Sequence, residues 1–131
     1  MILPCEVAVR SVIPAIRAQI AKELEEQGLS QDQVAEILGV SQSAVSKYSR
    51  NVRGRAIKVD DIEEIQPFID EIVIILLDGK RQSVELLQLF CQACMAVRRT
   101  RVMCRLCQKS DPKIKLEECT FCLKSADDSR K

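Results

Sequence analysis

Residues 29–50 read Leu-Ser-Gln-Asp-Gln-Val-Ala-Glu-Ile-Leu-Gly-Val-Ser-Gln-Ser-Ala-Val-Ser-Lys-Tyr-Ser-Arg. Ser30 followed three residues later by Gln33 is a capping-box pattern, and Val34, Ala35 and Leu38 continue at helical spacing. Gly39 supplies the positive φ for a sharp turn. Ser41 then caps a second short helix, Gln42 to about Arg50, with Ala44, Val45 and Tyr48 available for packing. The small residue Ala35 lies where the two helices approach, and Val34, Leu38, Val40 and Val45 fill the space under the turn. Gln42, Ser43, Ser46 and Lys47 are left pointing outward.

Working outward, a preceding helix is expected from about Arg10 to Gln27, with Ile16, Ile20 and Leu24 on one stripe and Gly28 as its stop. Pro14 then falls near the first turn, where proline is tolerated. Between Val59 and Leu77 the apolar positions 59, 62, 65, 69, 72 and 76 mark an amphipathic helix, divided at Pro67. A strand over Ile72–Ile75 is the alternative, but Asp70, Glu71 and Gly79 fit a helix and its stop better. A last clear helix spans Ser83 to about Arg99, with Val84, Leu87, Cys91 and Cys94 on its stripe. Beyond Arg101 the periodicity gives way to cysteines, lysines and Pro112, and residues 125–131 form a polar tail. The expected fold is mainly α. It comprises an N-terminal helical bundle (1–58), a helical connector and dimerisation region (59–99), and a small cysteine-rich, metal-binding C-terminal region (100–131).

The 131 residues include seven cysteines and no histidine. Without histidine, hydrolases that need an imidazole base are excluded and any metal site is all-thiolate. No nucleotide-binding loop appears either, so the chain reads as a binding protein with no small-molecule substrate, not an enzyme. No apolar run approaches the ~20 residues of a membrane span. The N-terminus lacks the basic start of a secretory signal, so a cytoplasmic protein is expected. The net charge of +1 conceals segregation: residues 59–79 carry seven acidic groups and no basic one. Arg98–Lys115 holds seven bases against Asp111 alone, and a second basic run spans Lys47–Lys58.

The pattern Gln-x-x-Val-Ala-x-x-Leu-Gly-Val-Ser-Gln-x-x-Val-Ser at 31–46 closely resembles helix-turn-helix transcription regulators of the λ-repressor type. Residues 10–55 fit that family's helix order. The resemblance implies that the helix from Gln42 enters the major groove of double-stranded DNA. By position in the motif, Gln42, Ser43 and Lys47 face base edges, Ser46 lies near backbone or bases, and Ser41 sits at the helix start. Gln31 matches a phosphate-contacting position. Arg50, Arg53 and Arg55 follow at once, and their simplest role is neutralising phosphates. Regulators of this type pair two copies over a palindromic operator, and the apolar surplus of Val59, Ile62, Ile65, Phe68, Ile69, Ile72 and Leu76 is expected to join a homodimer.

Three Cys-x-x-Cys pairs share one spacing: Cys91/Cys94, Cys104/Cys107 and Cys119/Cys122. Two such steps bring four thiolates onto one metal. Cys104, Cys107, Cys119 and Cys122 are the best-placed set, while Cys91 and Cys94 are as well explained as small core residues. Cys5 stands apart as a buried or free thiol. Four thiolates suit a [4Fe–4S] or [3Fe–4S] cluster, a structural Zn2+ ion, or a metal-free thiol switch. The absence of glycine after Gly79 counts against a zinc ribbon. Arg98, Arg99, Arg101 and Arg105 would offset the charge of an anionic cluster. The combination also resembles small archaeal regulators that join a helix-turn-helix to a cysteine-rich end, some of which govern iron–sulfur assembly or redox genes. That resemblance implies a repressor-like regulator whose operator binding responds to an iron–sulfur cluster.

Overall fold

In the computed structural model, which describes residues 1–50, 57, 59, 61–80 and 83–123, the chain becomes helical at Pro4 rather than near Arg10. Helix α1 (Pro4–Glu26) is 23 residues long. Proline suits the first helical position because its missing N–H would have no intrahelical partner there. The Glu6 carboxylate accepts from the Leu3 N–H at 3.3 Å and steadies the start. Pro14 is therefore an interior residue of α1, not an early-turn one. An interior proline costs about 3 kcal/mol. Val12, Ile16, Ile20 and Leu24 are all at 0% exposure, and burying each contributes about 1.5–3 kcal/mol. Packing outweighs the local penalty.

Helices α2 (Gln31–Leu38) and α3 (Gln42–Arg50) form as the sequence specifies. Ser30 Oγ accepts from the Gln33 N–H at 3.2 Å, and Gln33 Oε1 accepts in return from the Ser30 N–H at 2.8 Å. Gly39 has φ +68°, and the Val40 N–H then donates back to the Ala35 carbonyl at 3.0 Å. Ser41 Oγ caps α3 by accepting from the Ala44 N–H at 3.1 Å. Val34 and Val45 are fully buried, and both helices pack on α1.

A 3-10 turn at Glu63–Ile65 leads into α4 (Gln66–Leu77), with Pro67 in the first turn. Ile72–Ile75 are helical, and no strand forms among the described residues. The Gln66 amide ties the start of α4 to α1, donating to Glu23 Oε1 at 2.7 Å and to Asp70 Oδ1 at 2.8 Å. Ser83 Oγ caps α5 (Val84–Arg99) by accepting from the Leu86 N–H at 3.1 Å. A turn then enters the short α6 (Cys104–Ser110), which the sequence pattern does not reveal.

Two expected faces need correction. Val59, Ile62, Ile65, Ile69, Ile72 and Leu76 are buried within the single chain, because α4 packs between α1 and α5. That stripe is not a surplus left for a second copy. On α5 the buried face is Leu86, Leu89, Ala93 and Val97, whereas Val84 and Leu87 are exposed and Cys91 faces solvent. One hydrophobic core runs from Val7 to Cys107 across positions 58/59 and 99/100. Among the described residues no helix is long and apolar enough to cross a membrane.

The turn at Gly39 makes a separate demand on the backbone. A Cβ there would meet nothing within 4 Å, so Gly39→Ala should lose about 1–2 kcal/mol from the left-handed conformation alone. Urea denaturation measures this loss. An unchanged midpoint would show that the turn does not require glycine.

Candidate functional site

The first site is the outer face of α3. Val45 at 0% exposure and half-buried Tyr48 fix which side of the helix meets the core. Gln42, Ser43 and Lys47 are consequently exposed and Ser46 half-buried, all on the face the sequence assigns to DNA. Ser41 is exposed just before the helix, with its hydroxyl committed to the cap. The side chain of Arg50, and Arg53 and Arg55 altogether, lie outside the described residues.

The Gln42 side chain is held from behind: its Nε2 donates to Gln31 Oε1 at 2.7 Å. A side-chain amide has two hydrogens on nitrogen and an acceptor oxygen. One hydrogen is engaged by Gln31. The second hydrogen and Oε1 remain suited to the paired acceptor and donor on the major-groove edge of adenine. Gln31 Nε2 is left as a donor toward a phosphate, which fits its half-buried place at the first residue of α2. The two residues therefore form one unit, with Gln31 setting the amide plane that Gln42 presents.

The second site is at the opposite end of the sequence. Cys104 opens α6, Cys107 lies one turn further along it, and Cys122 sits in a 3-10 turn at Phe121–Leu123. These three and Cys119 line one cavity of about 30 Å3. The four thiols singled out by spacing are thus brought together. Cys91 and Cys94 are not in the lining: the first is exposed and the second is buried in the core. The described residues contain no three Cys, Asp or Glu groups already closed to the spacing of an ion's ligand shell. Ligation therefore requires the sulfurs to draw inward.

Two arginines build the walls. Arg101 has φ +68°, the one non-glycine residue in the left-handed region among those described, a conformation that costs of order 1–3 kcal/mol. Its Nη2 donates to the Leu116 carbonyl at 2.6 Å and clamps the loop that leads to Cys119. Arg98 is only 4% exposed. Its Nε donates to Cys122 Sγ at 3.3 Å, its Nη1 to Cys5 Sγ at 3.6 Å, and its guanidinium carbon lies 5.7 Å from the centre of the Phe121 ring. Its Nη2 is buried with no partner among the described residues. Burial works against the charge, yet the hydrogen bonds and negative charge of Cys122 and Cys5 outweigh it and hold Arg98 above the ordinary arginine pKa.

A buried cation with an unmet donor beside four sulfurs suits an anionic metal–thiolate guest. Burial pushes the Cys107 thiol up, reinforced by the nearby Cys122, Cys104 and Cys119 and opposed by Arg98. Metal uptake must therefore release protons. Sequence reasoning missed Cys5 as a neighbour of this site. Only the position of Arg98 one helical turn beyond Cys94 hinted that this arginine faces inward.

Residues 20–65 match the helix-turn-helix family model, about a third of the chain. The protein therefore carries a helix-turn-helix domain of the λ-repressor type, a class that serves DNA-binding transcription regulators, and the match begins inside α1. No curated protein and no solved structure matches the chain.

Cys94 gives a pH signature independent of metal. Burial raises its thiol pKa above the ordinary 9.0, and Arg98 opposes the shift. Unfolding lets this thiol ionise near 9.0, so its stabilisation is complete below that pH and is lost as pH rises through the folded value. The Tm of metal-free protein should fall above pH 9.0, and Cys94→Ala should flatten that fall. Parallel Tm profiles for the two proteins would contradict the assignment.

Proposed function

We propose that the protein is a cytoplasmic, sequence-specific transcription regulator that binds a palindromic operator as a homodimer. Cys104, Cys107, Cys119 and Cys122 hold an iron–sulfur cluster that modulates this binding. The observation that carries the reading is the convergence of those four thiols on one cavity walled by buried Arg98. When bound, the cluster supplies a redox-variable charge at the thiolates. Arg98 offsets that charge, and its N–H bond to Cys122 Sγ is a means by which a protein tunes the potential of such a centre.

At the other end, Gln42, Ser43 and Lys47 read base edges while Gln31 orients Gln42. Arg50, Arg53 and Arg55 neutralise phosphates. Ile74, Leu77, Val84 and Leu87, exposed along α4 and α5, supply apolar surface for the second copy in place of the buried stripe. Two such copies set their α3 helices about 34 Å apart, one turn of DNA. The charge state of the thiol site then favours one of two arrangements of the pair, which requires different operator affinity in each.

A second reading, a single structural Zn2+ ion, is favoured by the size of the cavity. About 30 Å3 has room for one ion-sized guest, roughly the share of one water in the liquid. Purification without oxygen, a visible spectrum, and iron, sulfide and zinc contents per chain separate the two. Iron and sulfide with visible absorption support the cluster, zinc in a colourless protein supports the second reading, and neither metal would sink both. Equal operator affinity of loaded and stripped protein across salt concentrations would remove the sensing role.

Two substitutions test the parts separately. Lys47→Ala should cost roughly 1–3 kcal/mol at the cognate operator and relax base preference there; an equal loss on random DNA would make Lys47 a phosphate contact. Cys107→Ser should strip most of the metal, read by metal content after gel filtration. Full retention would place the ligand set elsewhere.

A further inference from the structure

Cys5 stands in the first turn of α1, 93 residues before Arg98, yet Arg98 Nη1 donates to its sulfur at 3.6 Å. The same guanidinium donates through Nε to Cys122 Sγ at 3.3 Å. It also lines the thiol cavity. Arg98 therefore has one edge on the cavity and another on the helix that underlies the DNA-reading module. It is 4% exposed, and Nη2, the third nitrogen of the group, has no partner among the described residues. A buried guanidinium with an unmet donor is poised to accept an anion. The guanidinium is planar and rigid, so turning Nη2 toward a guest also moves Nη1.

We propose that Arg98 and Cys5 form the link by which the occupant of the cysteine cavity acts on the DNA-reading end. Arg98 binds the anionic metal–thiolate assembly at Cys122 and, through Cys5, sets the position of α1. This rests on the metal-binding reading above and adds Cys5 to the working parts of the site as a positioning residue. The path from there is short. Helix α1 packs directly on α2 and α3, and the helix-turn-helix match starts within it at residue 20. A shift of its first turn thus reaches Gln31 and Gln42 through packed helices, without an intervening linker. Arg98 is the element whose two arrangements, turned toward the cavity or resting on Cys5, both sites bias.

The test uses the full-length reduced chain, stripped or loaded without oxygen using ferrous iron and sulfide, with zinc ion alone in parallel. The DNA is a duplex selected by the wild-type protein from a random-sequence pool. Wild-type affinity should differ between loaded and stripped forms by about fivefold or more, the lower end of ordinary allosteric coupling. Cys5→Ala leaves all four proposed ligands in place, so it should take up the same metal per chain while that ratio falls to about one, which is no coupling. A second readout is the rate at which iodoacetamide alkylates Cys5, followed by peptide mass. Loading should change this rate in the wild type but not in Arg98→Lys, which keeps a positive charge without a planar fork.

Undiminished coupling in Cys5→Ala, or alkylation of Cys5 that loading leaves unaltered in the wild type, overturns the link while the metal reading stands. A wild-type ratio of one overturns the sensing role and the link with it. A wild-type chain that takes up neither iron with sulfide nor zinc overturns the metal reading as well.

Discussion

Burial of the long apolar face of α1 is the constraint on which the rest of the molecule depends. Val12, Ile16, Ile20 and Leu24 lose all contact with water, and they do so only because α2 to α6 all pack against this one helix. The same burial keeps Pro14 inside a continuous helix. It also sets Pro4 at the wall of the cysteine cavity and Cys5 beside Arg98. The reading helix α3 and the thiol site are two attachments to a single spine.

Charge divides the surface as packing divides the interior. The acidic groups of α4 and the turn before it face outward, with Asp61, Glu63, Glu64, Asp70, Glu71 and Asp78 all exposed. Their field repels phosphates and steers a polyanion toward other faces. On α3 the side chains that meet DNA are polar and partly pre-set. The Gln31–Gln42 bond restricts an amide that would otherwise sample several rotamers, so part of the entropy of recognition is already spent in the free protein.

Local chemistry was legible in the sequence wherever a few adjacent residues determine it. The capping pair Ser30 and Gln33, the turn at Gly39 and the cap at Ser41 all lie within a few residues of one another, and all form as expected. The start of α1 was misplaced because the apolar stripe after Arg10 drew the eye from Pro4 and Glu6, which open the helix. On α5 the apolar positions run most of the way round. The stripe 84, 87, 91 and 94 is then as periodic as the true one, 86, 89, 93 and 97, and only the position of α1 and α4 chooses between them. The seven residues of α6 are too few to show a period. The four thiols could be grouped by spacing alone. Their neighbourhood with Cys5 and a buried arginine could not, because tertiary contacts across 93 residues leave no mark on local pattern.

The unbroken core from Val7 to Cys107 also bears on how such a protein arises and can be re-engineered. A reading head with its own core can be exchanged between sensors as a cassette, joined by any tolerant linker. Here the first helix of the reading head is also part of the wall of the thiol cavity, so neither end is a portable part. A chimera cut within this core would expose Ile65, Ile69 and Ile72 to water and be selected against as an insoluble chain. Descendants of this architecture are therefore bound to diversify in place, by changing α3 for new operators and the cysteine loops for new signals, with α1 held constant between them.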